Sequence, residues 1–197
     1  MRNYVITIGR EYGSQGMHVG MCLAEMLNIP IYYKDLVKMA AEELGEPVDA
    51  LMDIDETYSM NVADFLLNKN GGPRSRQDRL FDAEANVIRR LAKTESCIIV
   101  GHCASYILRH EPNVINVFIY APDGVRYQHL LEEYRMTPDA TIKMMESVDK
   151  QRHNYYDHYT GQKRGSRELR QFMLDSSVLG VEGTAKVLKC IVEEKFL

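Results

Sequence analysis

The chain contains no apolar run approaching the ~20 residues that a membrane-spanning helix needs, so it is not expected to cross a bilayer. A secretory signal is not expected either. Met1, Arg2 and Asn3 lead into an apolar stretch of only Tyr4 to Ile8, with no small-residue cleavage site behind it. Cys22, Cys97, Cys103 and Cys190 form no CxxC pair and no metal-ligand spacing. Three of the four sit in apolar surroundings and read as buried free thiols, which points to a reduced, cytoplasmic compartment. Positive charge is not in excess: 24 Lys and Arg stand against 28 Asp and Glu, a formal net charge of −4. That balance argues against nucleic acid as a partner, but it leaves room for a local basic pocket. No repeat of fixed period is present. What remains is 197 residues, 45% hydrophobic and 26% charged, an ordinary composition for one domain.

The pattern alternates strands and helices. Tyr4 to Ile8 is short, apolar and β-branched, a buried strand. Behind the following loop, Val19, Cys22, Leu23, Met26 and Leu27 share one helical face. Residues 28–33 predict a second strand, and 35–44 a helix ended by Gly45 in the left-handed conformation. The acidic stretch from Glu42 to Glu56 reads as a solvated surface. Residues 59–67 predict a short helix, and 68–73 a glycine-proline loop or hinge. A long amphipathic helix is expected over 78–93, with Leu80, Val87, Ile88 and Leu91 inward; Glu84 is set aside as an interruption. Strands follow at Cys97–Val100 and Val114–Tyr120, with a short helix at 104–109 between them. Helices at 123–134 and 138–157, a strand at 172–174 and a helix from Val181 to Glu194 complete the chain. Thr137 and Pro138 make a good N-cap and first-turn pair. Continuously apolar strands alternating with helices indicate an α/β fold, a parallel sheet covered on both faces. In such sheets ligands gather at the carboxyl ends of the strands.

The loop Gly9-Arg10-Glu11-Tyr12-Gly13-Ser14-Gln15-Gly16 lies at such an end. A glycine loop between strand and helix lets backbone N–H groups converge on an anion, and the helix N-terminus adds partial positive charge. The glycine spacing does not fit the dinucleotide fingerprint. The strict ATP-binding pattern GxxxxGK[ST] fails too: Arg10, Gln15, Gly16 and Met17 stand at its four specified positions. Read on its own, the loop is either an anion site or a plain structural turn.

Residues Ile6 to Gly16 resemble the opening of the cytidylate kinase-like family of P-loop kinases, with Gln15 a departure. Leu23 to Pro30, Ile98 to Leu108 (with Gly101-His102-Cys103-Ala104-Ser105), Val117 to Pro122, Asp149 to Arg152 with Tyr155-Tyr156 and Tyr159-Thr160-Gly161, and Leu174 to Ser177 are similar to further family segments in the same order. The resemblance implies a three-layer P-loop kinase fold: a five-stranded parallel sheet, a helical NMP-binding insertion within about 35–90 and a lid within about 135–170. It implies transfer of the γ-phosphate of ATP, with Mg²⁺, to a nucleoside monophosphate such as CMP or a related small acceptor.

Phosphoryl transfer needs positioning and positive charge more than covalent chemistry. With no loop lysine, Arg10 is the nearest cation, either gripping phosphate or pairing with Glu11. Lys150 and Arg152 match the lid motif, in a segment from Asp149 to Arg170 that is net positive within an acidic chain. Glu11, Tyr12, Gly13, Ser14, Gln15, Gly16, Met17 and His18 are the implied nucleotide-binding set. Asp35, Arg79, His102, Cys103 and Ser105 are the implied acceptor set. Arg74 and Arg76 flank the glycine-proline loop beside Arg79. His102 stands where the family has Arg, and Ser105 where it has Asp, which weakens the case for CMP. Asp35 reads equally as a helix cap, and His102 as a local hydrogen-bonding residue. Tyr155, Tyr156 and Tyr159 stack on a base or pack the lid. No carboxylate stands ready for Mg²⁺ after the third strand, since Gly101 and His102 occupy that place; Ser14 is the one hydroxyl in the loop, and the role of Asp175 is open. A nucleotide-binding module without transfer, or a site for another anion, are the competing readings.

Overall fold

The computed structural model describes residues 3–52 and 75–197. The expected helix at 59–67, the loop at 68–73 and Arg74 lie outside the described residues. Five parallel strands form one sheet in the order β2-β3-β1-β4-β5. β1 (Val5–Arg10) is central, between β3 (Cys97–Val100) and β4 (Val114–Tyr120). β2 (Ile31–Tyr32) and β5 (Phe172–Asp175) are the edges. The expected parallel sheet is present. β1 runs two residues past the anticipated end, so Gly9 and Arg10 are strand residues paired with Phe118 and Ile119.

The three inner strands are mostly apolar because both of their faces are buried. Val5, Cys97 and Ile99 point into one core with Val87, Ile88, Leu91 and Tyr155. Ile6, Ile8, Ile98 and Val100 point into the other with Val19, Leu23, Ala185 and Leu188. The first core is roofed by α4 (Arg76–Thr94), α5 (Ala104–Ile107) and part of α7 (Pro138–Thr160). The second is roofed by α1 (Gly16–Leu27) and α8 (Ser176–Phe196). A third, smaller core joins α2 (Lys34–Leu44) and α3 (Val48–Met52) to α4 through Val37, Ala40, Leu51, Leu80 and Ala83. α6 (Asp123–Tyr134) follows β4 and leads to α7. No helix among the described residues is long and apolar enough to cross a membrane.

Local chemistry sets the helix ends. Gly45 closes α2 in the left-handed conformation (φ 66°), as its position implied. Thr137 caps α7, its Oγ1 accepting from the Ala140 N–H at 3.4 Å, with Pro138 behind it. α8 starts earlier than the periodicity suggested. Gly180 (φ 66°) kinks it, and the anticipated helix from Val181 is the part beyond that kink. α3 and a short 3₁₀ turn at Arg167–Leu169 had no clear signature in the sequence. Cys97 and Cys103 are buried, Cys22 packs half-buried against the α1/α8 core and Cys190 is exposed, all as free thiols. Part of the acidic stretch is engaged with arginines: Glu43 pairs with Arg90, and Glu46 with Arg76 and Arg79.

α4 begins with a capping box. Ser75 accepts from the Asp78 N–H at 3.1 Å, and Asp78 accepts from the Ser75 N–H at 3.3 Å. The same Asp78 accepts from the Tyr159 hydroxyl of α7 at 3.1 Å. Burial disfavours its charge, but these hydrogen bonds prevail and hold the carboxyl below its ordinary value. Ser75→Ala should therefore lower unfolding free energy by about 1 kcal/mol in urea titration, with an unchanged slope.

Candidate functional site

The glycine loop leaves the carboxyl end of β1 and enters α1. Gly13 has φ 79°, and a Cβ there would sit 2.7 Å from the Arg126 carbonyl oxygen. A Cβ on Gly16 would sit 2.6 Å from the Arg10 Cβ. The loop therefore holds its shape only with glycine at both places. Gln15 takes a left-handed conformation (φ 57°) without the freedom of glycine, a strain on the order of 1 kcal/mol. The first helical bond of α1 runs from the Val19 N–H to the Gln15 carbonyl at 3.0 Å, and Gln15 provides no side-chain cap. The N–H groups of Gly16, Met17 and His18 precede that bond, the arrangement that suits an anion. Ser14 is turned inward: its buried hydroxyl lies 2.9 Å from the Glu11 carbonyl and 3.2 Å from that of Ile119. Its own carbonyl accepts from the Ser176 hydroxyl at 2.7 Å. Ser14 thus anchors the loop from beneath, to β4 through its hydroxyl and to α8 through its carbonyl.

The outer side of the loop is held by charge. The Tyr12 N–H donates to Asp149 Oδ1 at 3.1 Å. Arg126 donates to the Tyr12 carbonyl at 3.0 Å, to Asp149 Oδ2 at 2.5 Å and to Asp123 at 2.8 Å, with Glu11 Oε2 3.6 Å from its Nε. Arg164 donates to Asp149 Oδ1 at 3.1 Å and to the Arg10 carbonyl. Glu11 also accepts from the Ala121 N–H at 3.2 Å, yet burial leaves its carboxyl above the ordinary value. For Arg126, burial works against the charge, but the hydrogen-bonded carboxylates of Asp123 and Asp149 outweigh it and raise its pKa. For Arg164, burial wins, aided by the nearby Arg152 and Arg10 charges, and its pKa falls to about 10.

Two cavities open beside this loop. The outer one, about 300 Å³, is lined by Tyr12, Gly13 and residues 15–18, by Tyr33, Lys34, Glu133 and Tyr134, and by Arg10 and Arg152. The inner one, about 40 Å³, lies over the ends of β1, β3 and β4. Its volume holds roughly three waters, comparable to one phosphoryl group. Its walls include Gly101, His102, Cys103 and Ser105, Tyr155 and Tyr156 of α7, and Arg10, Arg152, Arg164 and Arg170. Arg10 and Arg152 line both cavities. Arg10 is 6% exposed, with its guanidinium 5.0 Å from the Tyr33 ring; that of Arg152 lies 5.5 Å from the Tyr12 ring.

His102 and Cys103 follow Gly101 in three successive left-handed conformations (φ 85°, 51° and 52°). His102 Nδ1 lies 3.1 Å from Glu84 Oε1, both side chains fully buried, and the Tyr155 hydroxyl donates to Glu84 Oε2 at 3.3 Å. Ser105 accepts from Arg170 at 3.4 Å. Tyr155 and Tyr156 are buried, and Tyr159 stacks on Phe81 with ring centroids 4.0 Å apart. Other anticipated residues are not in the cavity walls. Asp35 is on the surface, 2.9 Å from Lys38; Arg79 is half exposed, 3.0 Å from Glu46; Lys150 is exposed on α7. Glu11 and Ser14 support the loop without lining either cavity. Reading the sequence passed over Glu84 and Arg126. Glu84 had a signal, a carboxylate on the apolar stripe of α4; Arg126 had none, because its partners come from distant segments.

Among the described residues no three His, Cys, Asp or Glu side chains converge as a metal cage. Residues 5–178 match the family described as the cytidylate kinase-like family. No curated protein matches the sequence. Among solved structures, an uncharacterized protein from Eubacterium ventriosum ATCC 27560 is 25% identical, with a TM-score of 0.69 over 98% of each chain. Shikimate kinase from Acinetobacter baumannii, in complex with shikimate, is 16% identical, with a TM-score of 0.52 over 100% of this chain and 97% of that one. Shikimate kinase from Bacteroides thetaiotaomicron is 14% identical, with a TM-score of 0.55 over 96% of this chain and 98% of that one. The two shikimate kinases are similar in fold alone, and that fold is the P-loop kinase architecture, built here on the five-stranded parallel sheet. With the match running through nearly every strand and helix described above, this chain belongs to the cytidylate kinase-like family.

Proposed function

We propose that the protein transfers the γ-phosphoryl group of ATP to a small acceptor, using arginines where related loops use a lysine. The observation that carries this reading is that Arg10 and Arg152 line both cavities. A transferred phosphoryl group passes from a donor site to an acceptor site, and cations shared by the two stand along that path. The outer cavity has the size of a small-molecule site and is bounded by the loop and the α1 N-terminus, which suits a polyphosphate. The inner cavity is bounded by Tyr155 and Tyr156 of the expected lid, so a phosphoryl group held there would be screened from bulk water. Charge placed in a low-dielectric cavity acts strongly on a developing phosphoryl transition state.

Mg²⁺ enters this reading with the nucleotide, held mainly by phosphate oxygens and water. The inward Ser14 hydroxyl and the absence of an acid at Gly101 and His102 leave no dedicated protein ligand at the places where such loops usually supply one. The same two features favour a second reading, nucleotide binding without transfer. Purified protein should be assayed with ATP and Mg²⁺ against nucleoside monophosphates, CMP among them, nucleosides and small polyols, following ADP release. Turnover with any acceptor supports transfer. Tight ATP binding by calorimetry with neither turnover nor hydrolysis supports the second reading.

If Arg10 replaces the loop lysine, Arg10→Ala should lower ATP affinity or kcat/KM by tenfold or more, about 1.4 kcal/mol, in a variant that melts normally. Arg152→Ala should lower kcat by about 10²-fold. Lys150→Ala, at an exposed position on the same helix, should leave kcat nearly unchanged.

A further inference from the structure

Behind the wall of the inner cavity, in contact with its lining residues His102 and Tyr155, lies a feature that phosphate binding does not need. Glu84 is a carboxylate with no exposure, on the apolar stripe of α4. Burying a carboxylate costs several kcal/mol unless hydrogen bonds satisfy it. Here one oxygen faces His102 Nδ1 at 3.1 Å and the other accepts from the Tyr155 hydroxyl at 3.3 Å. The three residues come from α4, the β3–α5 turn and the lid helix α7. His102 is held in place by a left-handed backbone that only surrounding structure can maintain, a cost on the order of 1–3 kcal/mol. Such strain is kept where a side chain must be aimed.

A carboxylate at Nδ1 selects the tautomer with the proton on Nδ1, so Nε2 carries a lone pair. Beside the cavity's arginines, this makes His102 an acceptor among donors. A phosphate monoester dianion offers no donor to that nitrogen and meets lone pair against lone pair. A hydroxyl group offers its proton. We infer that the acceptor presents an alcohol hydroxyl to His102 Nε2, so that the product is a phosphate monoester and not a diphosphate. This rests on the phosphotransferase reading and narrows its acceptor class. It is argued from the dyad in this chain, at a position where the resembling kinases carry arginine.

The step balances without another reagent. The acceptor oxygen forms a bond to the γ-phosphorus while the bond from that phosphorus to the β–γ bridging oxygen breaks. The nucleoside diphosphate leaves with the electron pair, and the hydroxyl proton passes to His102 Nε2. The resulting imidazolium is paired with Glu84, with Tyr155 on the second carboxylate oxygen. His102 is the catalytic base and Glu84 a positioning residue. The charged and titratable groups facing His102 are Glu84 from α4, the Tyr33 ring at 5.7 Å, Tyr155 and Arg152 from α7, Arg10 from β1, and Arg164 and Arg170 from the segment before β5.

The test uses water as the simplest hydroxyl acceptor, together with the matched pair CMP and cytidine. ATP hydrolysis and transfer are measured with wild type, His102→Gln and Glu84→Gln, and products are identified by ³¹P NMR. A monoester product is expected, with hydrolysis and transfer reduced 10²-fold or more in His102→Gln at unchanged ATP affinity. The wild-type rate should fall toward acid as His102 is protonated, and this limb should vanish in His102→Gln. Glu84→Gln lets an amide donate to Nδ1 and puts the proton on Nε2, so it should lower the rate without weakening ATP binding. If His102→Gln melts early, Glu84→Gln and the wild-type product carry the test. A diphosphate from CMP, or hydrolysis unchanged in a folded His102→Gln, overturns the hydroxyl assignment and leaves phosphoryl transfer standing. ATP binding with neither transfer nor hydrolysis in wild type overturns both.

Discussion

Asp149 accepts a hydrogen bond from the Tyr12 N–H of the loop and pairs with Arg126 and Arg164, so one carboxylate on α7 joins three separated parts of the chain. The loop, the start of α6, α7 and the segment beyond it are tied at that point. Arg126 and Arg164 then reach the carbonyls on either side of Glu11, those of Tyr12 and Arg10. Partly buried charges of this kind are worthwhile only when each is paired, since a lone ion in such surroundings costs several kcal/mol. Without Asp149, Arg126 would keep only Asp123 and Glu11 as partners. The position of α7 and the shape of the loop are in this way tied to each other.

The same economy of charge extends to a glycine loop that lacks lysine. Gly16 stands at the lysine position, and a side chain there would strike Arg10. Arg10 fills part of the space that a longer residue at position 16 would need, and brings its guanidinium to the boundary between the cavities. Arg152 reaches the same boundary from α7. A planar guanidinium offers two parallel donors to phosphate oxygens, where an ammonium offers a point charge. Positive charge at this boundary thereby comes from both β1 and α7.

Much of the architecture was legible in the sequence. The strand at Cys97–Val100, the left-handed end at Gly45 and the cap at Thr137 and Pro138 follow from neighbours within one or two turns of chain. The partners of the site residues were less accessible. Asp35 and Arg79 match expected positions, yet their nearest charges are the surface residues Lys38 and Glu46, because each helix turns them outward. Ser14 has a hydroxyl in the right loop, but β4 and α8 draw it inward. Glu84 read as an interruption because its hydrogen-bond partners are not on its own helix.

The sequence by itself determined the alternation of strands and helices, the two-sided burial of the sheet and the glycine loop at a strand end, since these depend on periodicity and short-range sterics. Tertiary structure decided which charges meet. Tyr12 and Asp149 are 137 positions apart, and Tyr155 and Glu84 are 71 apart. Hydrogen bonds form over about 3 Å, and only the packing of α4, α6 and α7 around the sheet brings such residues within that distance.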